Sequence, residues 1–264
     1  MAAKNPFSNF AYKLYSFNLA YRKFVCWWKN DVLKKDQYHI GLRKGAGGEN
    51  VVMVETPAQV RQIAEFYGDF EVLADHREYL SVLVRTPRAK FLAISTGIGT
   101  PPIAIGMEEL SVIGIQRFLY IGSCKPISSD MKANDLLVVK AAVKEDGTSR
   151  EYLPGSIPAV ADVKMVNQVR SALSNAKIRF QVGISATVDL DPRHVPAAVP
   201  LQAHYDEQIE AFKAGHVLAV DKASAGVYAV ATKLHKAACC ILRACESEFQ
   251  LPLSLIASVL EIFS

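Results

Sequence analysis

At 264 residues, half of them hydrophobic and about a fifth charged, the chain is long enough to bury a sizeable core and too apolar for intrinsic disorder. Its formal net charge of +4 is too small a bias to indicate nucleic-acid binding. The cysteines Cys26, Cys124, Cys239, Cys240 and Cys245 are odd in number without Cys-x-x-Cys spacing, which speaks against a disulfide framework or zinc site and for a reducing compartment, and no apolar run reaches the roughly 18 residues of a membrane span.

In chain order, the first segment differs from the rest. Lys4, Lys13, Arg22, Lys23 and Lys29 precede the first acid, Asp31, and aromatics from Phe7 to Trp28 are interleaved with them. Residues 1–36 are therefore expected to form a basic, aromatic extension ahead of a domain over 37–264. Such a composition suits a mitochondrial targeting sequence, or an arm lying on a membrane surface or a protein partner with Trp27 and Trp28 as its docking anchors. The alternative is a helix packed on the domain's own core. Localisation is expected to be mitochondrial, and otherwise cytoplasmic.

Beyond the extension, apolar runs alternate with amphipathic ones. Residues 51–54 (Val-Val-Met-Val) predict a buried strand, and 58–67 a helix after Thr56-Pro57. Strands are expected at 80–84 and 90–95, followed by a glycine-rich loop at 96–100 and a proline-initiated helix at 103–113. Further strands are expected at 117–121 (ending at Gly122-Ser123), 135–142, 180–185, 216–220 and 238–244, with helices at 163–175, 223–235 and 251–263. Residues 192–200, rich in proline, read as a surface loop. The alternation indicates an α/β fold without internal repeats.

Five segments then carry a family resemblance: His76-Arg77-Glu78-Tyr79, Ser95-Thr96-Gly97-Ile98-Gly99, Glu108-Glu109-Leu110 before Gly114, Ile121-Gly122-Ser123-Cys124, and Pro158-Ala159-Val160-Ala161-Asp162. In this order and at this spacing they resemble the purine and uridine nucleoside phosphorylases, over about residues 37–246. The Gly-Ser-Cys turn is most similar to that of the parasite-type purine enzymes. The resemblance implies a three-layer α/β/α sandwich with a mixed central sheet, a homodimer or larger assembly with sites completed across the interface, and phosphorolysis of nucleosides without a metal or other cofactor. It implies phosphate contacts from Ser123 and, across the dimer interface, from Arg77, and substrate contacts from Thr96, Gly97, Gly122 and Asp221.

Several positions depart from that pattern. Where the family has Gly-Asp-Pro-x-Arg, this chain has Glu55-Thr56-Pro57-Ala58-Gln59, and a second family arginine is replaced by Tyr120. Lys125-Pro126 stands where the turn has a glycine, and the ribose-binding glutamate is replaced by Ala223. Glu246 is the vestigial candidate for protonating the leaving base, while Asp189 and Asp191 read as loop acids rather than metal ligands. The expectation from these losses is a catalytically inactive homologue, retained as a structural or accessory subunit of a mitochondrial assembly such as a respiratory complex, the ATP synthase or the mitochondrial ribosome. The arm would bind the other subunits. The alternative is an active phosphorylase or hydrolase of purine nucleosides or uridine that uses Lys125 and Glu246, and a third reading is a nucleoside-sensing module without turnover.

Overall fold

The computed structural model describes residues 36–190, 202–245 and 250–263. The proposed arm with Trp27 and Trp28, the 192–200 loop and Glu246 lie outside the described residues. In chain order the elements are β1 (Asn50–Val54), α1 (Pro57–Tyr67), β2 (Phe70–His76), β3 (Tyr79–Arg85), β4 (Lys90–Ser95), α2 (Thr100–Ile113), β5 (Arg117–Pro126), β6 (Leu136–Glu145) and α3 (Gly147–Tyr152). They continue with β7 (Ala159–Val160), α4 (Val163–Asn175), β8 (Phe180–Val188), α5 (Gln202–Ala214), β9 (Val217–Asp221), α6 (Ser224–Leu234), β10 (Ala237–Ala244) and α7 (Leu253–Phe263).

All ten strands form one mixed sheet in the order β10-β6-β8-β9-β5-β1-β4-β3-β2, with β7 attached to β6. Residues 51–54 of β1 are buried, as expected of a strand covered on both faces. Alternate side chains separate to opposite faces. Val51, Met53, Leu92, Ile94 and Phe118 join a core that includes Ile103 and Met107 of α2 and Val227 and Val230 of α6. Val52, Val54, Phe91, Ala93 and Leu119 join a second core with Val60 and Ile63 of α1, Val169 of α4 and Ile256 of α7. These two cores on opposite faces give the three-layer α/β/α sandwich, and a third, smaller cluster joins Ala186, Val188, Val217 and Val220 to Phe212 of α5.

The sheet also closes on itself at one end. β5 pairs with β10 along one edge, and on the other with β1 near its start and β9 near its finish. Strands β5, β10, β6, β8 and β9 thereby form a ring, and β1, β4, β3 and β2 extend from it as an open sheet. β5 is longer than expected because Gly122 and Ser123 do not turn the chain. They stay extended, paired with Leu242 and Arg243 of β10.

Local chemistry accounts for the main boundaries. Thr56 caps α1 in a reciprocal capping box with Gln59, Pro57 occupies its first turn, and Gly68 at φ +78° ends it. β2, α3, β7 and α5 are absent from the expected elements. β2 is largely exposed and its register shifts between Val72 and Ala74, so it shows no buried run.

Helices α2 and α6 cross closely, where α6 is buried over residues 224–231. A Cβ on Gly226 would lie 2.5 Å from Thr100 Cγ2. We expect Gly226→Ala to lower unfolding free energy by about 1–3 kcal/mol through overpacking, measured by chemical denaturation. An unchanged midpoint would show that the two helices can separate at no cost.

Candidate active site

Parallel register brings the chemistry to one level. Val54 of β1 pairs with Ser95 of β4 and with Ile121 of β5, so the residues that follow, Glu55, Thr96 and Gly122, emerge side by side. The loop after β4 is latched to β1: Thr96 N–H donates to Val54 O at 2.9 Å, and Gly97 N–H to Glu55 O at 3.0 Å. Gly97 adopts φ +74°, a region that favours glycine. Gly122 meets a different demand, since a Cβ there would lie 2.5 Å from the ring of Tyr120. The Tyr120 side chain thus folds against its neighbour's backbone.

Glu55 is the centre of this arrangement. Its Oε1 accepts from Ser123 N–H at 2.8 Å and from Ser123 Oγ–H at 2.7 Å. The Tyr120 phenol lies close enough to act on the same carboxyl group. Burial raises the Glu55 pKa above its ordinary 4.5; the Ser123 bonds oppose this, and the charge of Asp221 adds to it. Tyr120 is buried, and desolvation, reinforced by Glu55 and Asp221, holds its phenol well above the usual range. It is a proton donor throughout the neutral range.

Asp221 ends β9 opposite Cys124 of β5. Its Oδ1 accepts from the N–H groups of Ala223 and Ser224, both at 2.7 Å, and from Thr187 Oγ–H at 3.0 Å. Its Oδ2 accepts from Ser224 Oγ–H at 2.6 Å. This carboxylate caps the start of α6, and its negative charge suits that helix end. Ala223, at the position of the family glutamate, is buried.

The structure brings Gly122, Ser123, Thr96 and Gly97 together with Glu55 and sets Asp221 within electrostatic reach. Arg77 lies on the tight turn between β2 and β3, with φ +58°. Its guanidinium stacks over Tyr38, 5.4 Å from the ring centroid, and bonds the Tyr38 hydroxyl at 3.4 Å. Gln59 turns back to accept from Thr56 N–H at 3.0 Å as part of the helix cap.

Sequence reasoning placed Glu55 among the departures from the family pattern and missed that it binds Ser123. No spacing rule links positions 55 and 123; only the register of β1 against β5 does. Cys245 was missed as well. Its N–H donates to Cys124 O at 3.1 Å, and burial, then Glu55, raise its thiol pKa while Arg243 and Lys125 oppose them. Lys125 and Arg243 therefore lie within electrostatic reach of Cys245, and the Arg243 guanidinium donates to Gln250 O at 2.8 Å and Asn134 Oδ1 at 2.6 Å.

This geometry coincides with what comparison of the whole chain finds. The family profile described as the Phosphorylase superfamily matches residues 49–249. A guanosine phosphorylase of Halorubrum lacusprofundi is 31% identical over 201 residues, 75% of this chain and 78% of that protein. A uridine phosphorylase of Treponema pallidum is 29% identical over 193 residues, covering 73% and 75% of the two chains. One from Thermococcus kodakarensis is 34% identical over 153 residues, which is 58% of this chain and 55% of the relative. Among solved structures, the purine nucleoside phosphorylase of Toxoplasma gondii in complex with immucillin-H superposes with a TM-score of 0.75 at 24% identity, covering 86% and 95% of the chains. The uridine phosphorylase of Vibrio fischeri ES114 gives 0.76 at 20% identity, covering 87% and 97%. The chain belongs to the phosphorylase superfamily.

One expectation is corrected here. Replacements at Glu55, Gln59, Tyr120 and Ala223 suggest an inactive homologue and a structural subunit, but the relatives that match the chain are named as uridine and guanosine phosphorylases, which points to an enzyme. The error lay in counting the replacements as separate losses. Glu55, Tyr120 and Ser123 form one connected group on intact strand ends.

The raised Glu55 pKa has a consequence for stability. A carboxyl group easier to protonate when folded costs no stability below the unfolded value of about 4.5. Its cost grows as pH rises through the higher folded value. Glu55→Gln should therefore raise the melting temperature more at pH 7 than at pH 4. Equal shifts at both pH values would contradict the assigned direction.

Proposed function

We propose that this protein is an enzyme of nucleoside metabolism that breaks the bond between a ribose and its purine or pyrimidine base. The observation that carries the reading is the convergence of Glu55, Thr96-Gly97 and Gly122-Ser123 at the level ends of β1, β4 and β5. Relatives matched over much of this chain are named for phosphorolysis of uridine and guanosine, and they favour a nucleoside substrate.

The chemistry fits the groups present. Departure of the base leaves positive charge on the ribose ring, and a fixed carboxylate near the anomeric carbon stabilises that charge as it develops. Ser123 holds the Glu55 carboxylate in one orientation through two hydrogen bonds. Lys125, two residues beyond Ser123 on β5, supplies positive charge near this strand end, where an electron-rich departing base gains from it. Thr96 and Gly97 contribute a backbone wall whose own bonds to β1 keep it from collapsing inward.

Incubating the purified protein with uridine, inosine, guanosine and adenosine, each with and without inorganic phosphate, should release free base from at least one nucleoside, as resolved by chromatography. Release indistinguishable from the uncatalysed rate for all four, in both conditions, would sink the proposal.

A further inference from the structure

We infer that the group attacking the ribose at this site is water, activated by Glu55, and that inorganic phosphate is not the acceptor. The inference rests on the nucleoside-cleaving reading above and names its second substrate.

Four observations lead to it. The main-chain N–H and the hydroxyl of Ser123 are donors suited to an anion at this end of β5, and both already donate to Glu55 Oε1, at 2.8 and 2.7 Å. An anion arriving here would have to displace a carboxylate that is part of the chain. The side chain that could have brought a second set of donors, Gln59, is folded back onto the Thr56 N–H. Tyr120 fills the space above Gly122, beside the same carboxyl group. Finally, Asp221 adds a second negative charge close enough to act on Glu55. Two carboxylates at the strand ends repel a phosphate dianion, and the guanidinium of Arg243, opposite Ser123 on β10, is engaged by Asn134 Oδ1 at 2.6 Å and Gln250 O at 2.8 Å.

The same features suit a neutral nucleophile. An ionised carboxylate has about four acceptor positions. Ser123 takes two, both on Oε1, which leaves room on the carboxylate for a water molecule. Burial raises the basicity of Glu55, as a base working near neutral pH requires.

The step balances without another reactant. Glu55 takes a proton from water while the water oxygen bonds to the anomeric carbon. The bond from that carbon to the base nitrogen breaks, and its electron pair leaves with the base. The base gains a proton from solvent, Glu55 returns its own to solvent, and the products are free ribose and free base.

The test uses the full chain with whichever nucleoside it cleaves. In phosphate-free buffer containing H2(18)O, the released sugar should be ribose with one labelled oxygen, and added phosphate should leave the rate unchanged. Glu55→Gln should lower kcat about 10²- to 10⁴-fold with little change in KM. Activity of the unaltered protein should fall on the acidic side as Glu55 takes up a proton, and that limb should vanish in the variant. Formation of ribose 1-phosphate, or a rate proportional to phosphate, would overturn the inference and leave the cleavage reading standing. Full activity of Glu55→Gln would overturn it as well. No base release in either buffer would remove both readings together. Because the isotope and phosphate measurements need no variant, they decide the matter even if Glu55→Gln fails to fold.

Discussion

The site depends on three neighbouring parallel strands ending at the same height. Val54, Ser95 and Ile121 lie in one row across β1, β4 and β5, so the first residue beyond each strand meets the others without any loop having to reach for them. A slip of one residue in β1 would send Glu55 to the opposite face and leave the Ser123 donors unmet. Burial protects that register. Each residue of β1 from 51 to 54 packs into one core or the other, and a shift would exchange their cores.

A tethered carboxylate differs from a bound anion in its cost of arrival. A free ion loses translational freedom when it binds, whereas Glu55 has already been positioned by folding. Its hold on the two donors of Ser123 therefore does not vary with any solute concentration. Tyr120 reinforces it, since a buried phenol that keeps its proton always presents a donor. Asp221 works nearby on a different task. Its oxygens are absorbed in starting α6, so this second acid shapes the field around Glu55 without competing for its partners.

How much of this was legible in the sequence varied with the kind of signal. The buried strands of the sheet and the helices α1, α2, α4, α6 and α7 announce themselves by apolar periodicity, capping and proline placement, and the structure has them close to where the sequence puts them. Edge strand β2 is exposed and bulged, so it carries no such periodicity. Gly122-Ser123 has the composition of a turn, yet pairing with β10 keeps it extended; local preference yields there to a partner more than 100 residues away. The family motifs located Ser123, Thr96 and Gly97 correctly as neighbours. They misled about chemistry, because a motif marks which residue has changed and is silent on what the newcomer binds.

Closure of the sheet at one end also determines how it ends at the other. With β10 joined to β5, β2 is left as the terminal strand of the path among the described residues. Its bulge between Val72 and Ala74 and its acids Glu71 and Asp75, which face Arg85 and Arg61, make this margin a poor template for casual strand pairing. That margin has a further property. If two copies were ever to join their sheets there, each would have spent the free backbone of its β2, and no third copy could add to the ribbon at that strand. Growth through β2 would therefore stop at two.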